Sequence, residues 1–201
     1  MFPHIIFIIN SNIYYILVAF FLPSELFETI RIPKERIGAL IGTEGKTKRK
    51  LEKLTGTRIE VDSETGTIEV ESKGNSANFL DAVNAIKAIG RGFTPEKALE
   101  LLGEKTLLDI IKISDLVGGS EKTIKTKRAR VIGTKGLARE AIEKATGAKI
   151  SVQGKTVAII GEPGEIELAR EAVEMLLEGA NHKKVMDYLK KEQQQREKFT
   201  I

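Results

Sequence analysis

Two four-residue turns carry the residue types that receive an anion: Gly42-Thr43-Glu44-Gly45 and Gly133-Thr134-Lys135-Gly136, each preceded by an isoleucine, Ile41 and Ile132, and each followed by a helical stretch. Glycine reaches positive φ and, lacking Cβ, lets a second backbone come close. A helix that starts at such a turn presents unpaired N–H groups and the positive end of its dipole. The chemistry that follows is electrostatic capture of phosphate, with no bond made or broken.

The charge pattern agrees. From Arg31 to Arg58 nine basic residues, among them Lys46, Lys48 and Arg49, stand against three acidic ones, a local charge of +6. From Ser120 to Arg139 seven basic residues, among them Arg128, Arg130, Lys135 and Arg139, stand against Glu121 alone, again +6. Glu162 to Glu178 holds six Glu against Arg170. The net charge of the chain is only +4, so this segregation toward the turns, and not the overall balance, points to a polyanion. The turns differ at one place, where Lys135 favours phosphate and Glu44 opposes it. The second turn is therefore expected to be the stronger clamp.

Other chemistry finds little support. Gly45-Lys46-Thr47 is close to a nucleotide-binding P-loop, but that pattern needs Gly five residues before Gly45, where Leu40 stands, and a strand leading in. Glu60 with Asp62 and Glu69 with Glu71 share faces of two strands, as a solvated hairpin face does. The two histidines, His4 and His182, are far apart and have no nucleophile partner, and cysteine is absent. These features predict no catalytic residue, no metal site and no cofactor. A chain without cysteine fits a reducing compartment, and a cytoplasmic location is expected.

The elements that must position the turns occur twice. Sliding the chain on itself by 91 residues (133 − 42) superposes Leu51 on Ile142, Gly56 on Gly147, Ile59 on Ile150 and Val61 on Val152, the mark of a tandem duplication. In the first copy the pattern predicts a strand at Ile30–Ile32, a helix through Ile37, Leu40 and Ile41, and, after the turn, a helix from Lys46 with Leu51 and Leu54 inward. A hairpin of Arg58–Val61 and Thr67–Val70 comes next, then a helix burying Phe79, Val83 and Ile86 with Leu80 alongside. The order is βααββα. A connecting helix is predicted over Thr94–Leu102, with Pro95 at its first position. The second copy repeats the order from about Leu108, and Lys183–Lys198 reads as an exposed helix that frays. The divisions are residues 1–26, 27–103, 104–182 and 183–201.

Residues 1–24 contain no Lys, Arg, Asp or Glu. An extra packed element, or residues added by an upstream start, is the preferred reading. A membrane anchor through residues 5–22 is the alternative, against which stand the missing basic lead-in and the missing small-residue cleavage pattern.

An Ile-Gly-x-x-Gly turn in βααββα order resembles the type I KH domain, so the fold class implied is α+β, two tandem KH domains each with a three-stranded sheet backed by helices. The resemblance implies that each turn clamps the backbone of about four single-stranded nucleotides while an apolar groove reads the bases. The groove would be walled by Ile37, Ile41 and Ile59 in the first copy and by Val131, Ile132 and Ile150 in the second. The stretch from Ala88 through Gly92-Phe93-Thr94-Pro95-Glu96 to Leu102, with Gly154–Gly161 and Asn181-His182-Lys183-Lys184-Val185, is similar to the archaeal relatives of the eukaryotic Partner of Nob One. Those are tandem-KH factors of small-subunit assembly. The resemblance implies binding near the 3′ end of the small-subunit rRNA precursor, association with the endonuclease that matures that end, and a link to a translation initiation factor subunit. A membrane-tethered KH scaffold and a KH subunit of an RNA-processing complex are the other functions weighed. Glu44 and the apolar head depart from the family pattern.

Overall fold

The computed structural model describes residues 26–74 and 78–199, so the apolar head and its alternative reading as an anchor lie outside the described residues. The first repeat runs β1 (Phe27–Arg31), α1 (Lys34–Ile41), α2 (Lys46–Thr55), β2 (Thr57–Asp62), β3 (Thr67–Ser72) and α3 (Phe79–Gly90). A short α4 (Pro95–Ala98) follows and continues as a 3-10 turn over Leu99–Leu102. The second repeat runs β4 (Leu107–Lys112), α5 (Ile113–Val117), α6 (Glu121–Ile132), α7 (Leu137–Thr146), β5 (Lys149–Gln153), β6 (Thr156–Gly161) and α8 (Pro163–Glu178), and α9 (His182–Phe199) follows it. The fold is α+β with two antiparallel three-stranded sheets, ordered β1-β3-β2 and β4-β6-β5.

Each sheet carries its helices on one face. In the first, Ile30, Ile59, Ile68 and Val70 point inward onto Leu40, Leu51 and Ile86, and the opposite face shows Arg58, Glu60 and Glu69 to solvent. Period-two alternation sets this sidedness. The central strand of the second sheet differs, because every residue of β6 is buried. Val157 and Ile159 belong to the second core, and Ala158 and Ile160 to the first, where they join Phe93, Ala98 and Leu101 of the connecting segment. The outer face of the second sheet is thus covered by the first repeat. Ser151 Oγ donates to the carbonyl of Arg91 at 2.8 Å across this junction, and Lys149 pairs with Glu100.

Several sequence expectations change. Leu54 and Leu80 are exposed, not inward; each lies off its helix's buried stripe. The connecting helix covers the expected span but turns from α to 3-10 at Leu99, and Thr94 caps it as expected by accepting the N–H of Lys97. The polar stretch before the second turn contains two helices, α5 and α6. The C-terminal helix docks: Val185 and Leu189, one turn apart, enter the second core, and Gln193 donates to the Ala145 carbonyl of α7.

Candidate nucleic-acid interface

The two glycine turns have almost the same backbone. Gly42 lies at φ 70°, ψ 174° and Gly133 at φ 70°, ψ 178°, a region open only to glycine. A Cβ on Gly133 would stand 2.6 Å from Ala138 Cβ, and one on Gly42 would stand 2.3 Å from Thr47 Oγ1, so sterics and φ both demand glycine there. Glu44 and Lys135 each take the left-handed conformation at φ 54° and are the non-glycine residues with positive φ among the described ones. Such a residue costs about 1–2 kcal/mol, and the same cost is met at the same place in both repeats. The glycine at the fourth position closes the turn by donating its N–H to the carbonyl of the glycine at the first, Gly45 to Gly42 at 3.1 Å and Gly136 to Gly133 at 3.3 Å. The first N–H groups of α2 and α7 are taken by the turns, Lys46 donating to the Thr43 carbonyl and Leu137 to that of Thr134, so what each turn offers an anion is the positive end of the helix dipole.

Since the backbones match, charge distinguishes the turns. Glu44 is paired with Lys46 at 3.5 Å, both well exposed, which leaves that turn close to neutral. Lys135 is exposed and has no ion-pair partner among the described residues, and the position matching Lys46 is Leu137.

Several of the basic residues singled out from the sequence are engaged within the fold. Arg130 reaches across to the end of α8 and donates to the carbonyls of Leu176 (3.2 Å), Gly179 (3.1 Å) and Ala180 (2.7 Å). It caps that helix, whose last carbonyls would otherwise lack partners. Arg36 does the same in the first repeat, toward Ile89 and Phe93. Lys48 pairs with Glu52 at 2.9 Å, and Glu52 Oε1 also accepts the N–H of Ile59 at 2.9 Å. In the second repeat Arg139 lies beside Glu143, its Nε 3.5 Å from Oε2, while Oε1 accepts the N–H of Ile150 at 2.7 Å. The repeat thus includes a second constellation that spacing alone does not reveal, a carboxylate that ties the edge strand to the helix after the turn. Arg49 donates to the Glu44 carbonyl, and Arg128 to that of Gly154 at 3.1 Å.

The apolar groove residues divide in the same way. Ile41 and Ile132 are half-buried beside the turns, whereas Ile37, Ile59, Val131 and Ile150 are almost wholly buried. The buried four are not open walls of a groove, because their side chains fill the core between sheet and helices. Sequence reasoning also missed the environment on the other side of α7. Leu137 is 63% exposed there, and His182, exposed, has its Nε2 2.9 Å from the Arg130 carbonyl. The signal was present in α7, whose Leu137, Ala138, Ala141, Ile142 and Ala145 form a stripe too wide for one neighbour.

Among the described residues no His, Cys, Asp and Glu group could hold a metal ion, and no helix is long and apolar enough to cross a membrane.

Two sequence families match this chain: the KH domain over residues 27–88 and the eukaryotic-type KH domain (KH domain type I) over residues 107–194. A KH domain-containing protein of Methanocaldococcus jannaschii is 42% identical over 170 residues, 83% of this chain and 74% of the relative. The crystal structure of Dim2p from Pyrococcus horikoshii is similar at 43% identity with a TM-score of 0.77, over 83% of this chain and 99% of that one. A structure of the a/eIF2α–Dim2p–rRNA complex from the same organism gives 42% identity and a TM-score of 0.80, over 85% and 96%. A protein of unknown function from Aeropyrum pernix gives 36% and 0.80, over 88% and 96%.

Proposed function

This chain belongs to the archaeal tandem-KH family that includes Dim2p, a relative of the eukaryotic Partner of Nob One, and on that premise we propose that it binds single-stranded RNA at the 3′ end of the small-subunit rRNA precursor during ribosome assembly. The observation that carries the reading is the second turn: Gly133 and Gly136 hold Lys135, unpaired and exposed, at the N-terminal end of α7. Phosphate meets backbone dipoles and a cation there, and the partly buried Ile132 lies beside them for a base.

In this reading Thr134 and Lys135 make the main grip. Gly42-Thr43-Glu44-Gly45, with Lys46 and Arg49 beside it, makes a weaker one. Arg128 and the outer lysines of α6 add long-range attraction, while Arg130, Lys48, Arg139 and Ile150 shape the site from behind. The factor acts by binding and performs no catalysis of its own; its setting is the cytoplasm. The endonuclease that matures the rRNA end is its protein partner. The relative crystallised together with a/eIF2α and rRNA supports an initiation-factor subunit as a second partner. Crosslinking the protein to total cellular RNA and mapping the bound nucleotides tests the reading. Sites clustered at the 3′ end of small-subunit rRNA are expected, and sites scattered over messenger RNA would defeat it.

A further inference from the structure

A cavity of about 330 Å³ opens behind the second glycine turn, lined by Gly133, Thr134, Leu137, Ala141, His182 and Met186 among others. It is distinct from the groove beside β5. Arg139 and Glu143 mark the side of α7 that faces β5. Leu137 and Ala141 stand two residues before each of them, about 160° away around a helix of 3.6 residues per turn. The cavity therefore flanks the phosphate turn on its far side, and Gly133 and Thr134 belong to both.

We propose that this cavity holds one unpaired nucleobase adjoining the nucleotides clamped at the turn, so that the second repeat reads RNA beyond its groove. The proposal rests on the second turn being the phosphate clamp. Three observations favour a base as the occupant. The first is continuity: Gly133 and Thr134 of the turn line the cavity, so a strand whose phosphates cross Gly133-Thr134-Lys135-Gly136 lies directly at this opening. The second is His182. Its ring is exposed at the rim and held by the Nε2 contact to the Arg130 carbonyl, which presents a fixed aromatic plane of the kind on which unpaired bases stack. The third is charge. No carboxylate lines the cavity, and exposed charges of both signs stand next in sequence to its lining, Lys135 and Lys183 as well as Glu140 and Asp187, so the opening is close to neutral, as an uncharged base requires. The volume lies at the small end of the range of about 300–1,000 Å³ typical of ligand pockets, in keeping with a single planar ring system above an apolar floor.

Among the described residues the first repeat does not present the same lining. The positions matching Leu137 and Ala141 are Lys46 and Lys50, and the helix that closes the cavity, α9, follows only the second repeat.

The test uses the full chain and short single-stranded RNAs matching the 3′ end of small-subunit rRNA, with one abasic site moved along the sequence. For the wild type one position next to the clamped nucleotides should lose at least about fivefold in affinity when its base is removed, as a stacked base does. Ala141→Met, which fills the cavity, and His182→Ala, which removes the plane, should each lose a similar factor on the intact RNA and nothing more on the RNA abasic at that position. Wild-type affinity of both variants for the intact RNA would overturn the proposal. So would a loss of equal size on every RNA, abasic or not, since that means a distorted turn. Thr134→Asp with Lys135→Asp separates this from the clamp itself: if that variant binds as the wild type does, the turn is not the site, whatever the cavity does.

Discussion

Replacing Glu44 by Gln should make the first turn grip RNA much as the second does. The two backbones already agree, with φ 54° at the third residue of each, and Gln has the shape of Glu, so the strain and geometry of the turn are kept. What changes is charge. The wild-type turn holds Glu44 and Lys46 as a pair at 3.5 Å and sums to about zero. Glu44→Gln leaves Lys46 alone, +1, which is the charge Lys135 gives the second turn. One cation about 5 Å from a phosphate gains about 0.8 kcal/mol at the dielectric of water and about 3 kcal/mol at an effective value near 20. Both charges are exposed and salt screens them, so the low end applies: about 1 kcal/mol, or fivefold in affinity. Titrating labelled single-stranded RNA at several salt concentrations reads two quantities. Affinity should rise about fivefold, and the slope of log K against log salt should steepen by about 0.7, the value for one further phosphate contact on a single strand. Lys135→Gln should lose a similar factor and flatten the slope equally. An unchanged slope for Glu44→Gln beside a flatter one for Lys135→Gln would refute a role for the first turn in holding phosphate; two unchanged slopes would refute the electrostatic account of both.

Arg130→Met should lower stability by about 2–3 kcal/mol, the worth of charge-assisted bonds to three carbonyls of the α8 terminus, while leaving the salt slope of RNA binding as it is; a flatter slope with unchanged melting would mean that Arg130 contacts phosphate. Leu101→Ala, at a position 2% exposed between the repeats, should cost about 2–5 kcal/mol and loosen the junction, so that calorimetry shows the two repeats melting apart; a single unshifted transition would contradict the shared core. Asp62 accepts the hydroxyl of Thr65 and the N–H groups of Thr65 and Glu64 in the first hairpin, which holds its carboxyl below 3.8. Because the native value is depressed, its contribution is full above pH 3.8 and is lost as pH falls through the native value; the Thr65 amide signal should follow that titration by NMR, and Asp62→Asn should abolish it.

The fold class was open to sequence reading because both repeats carry the same punctuation. Gly56 and Gly147 end the helices after the turns in the left-handed conformation, and strict alternation in Thr67–Val70 marks a strand with one buried face. Where the repeats differ, the differences report neighbours that no local pattern names. Val157-Ala158-Ile159-Ile160 is continuously apolar because the first repeat covers the second sheet's outer face; the run is visible in the sequence, but its partner is not. The row of small residues on α7 is legible as a docking stripe only once Val185 and Leu189 are placed in the same core. In the candidate site the glycines are readable from conformational necessity. The division of labour among the arginines is not, since a guanidinium that caps a helix 46–50 residues away and one that meets solvent look the same in a basic stretch.

In the proposed function the second glycine turn holds single-stranded RNA from the 3′ end of the small-subunit rRNA. Its most direct measurement is the affinity of the wild type and of the Thr134→Asp, Lys135→Asp variant for that RNA and for a shuffled RNA of equal length, at one fixed salt concentration. The account predicts that the wild type prefers the rRNA sequence by at least about tenfold, roughly 1.4 kcal/mol, and that the variant loses most of its binding to both. Equal wild-type affinity for the two RNAs, or a variant that binds as tightly as the wild type, would contradict it.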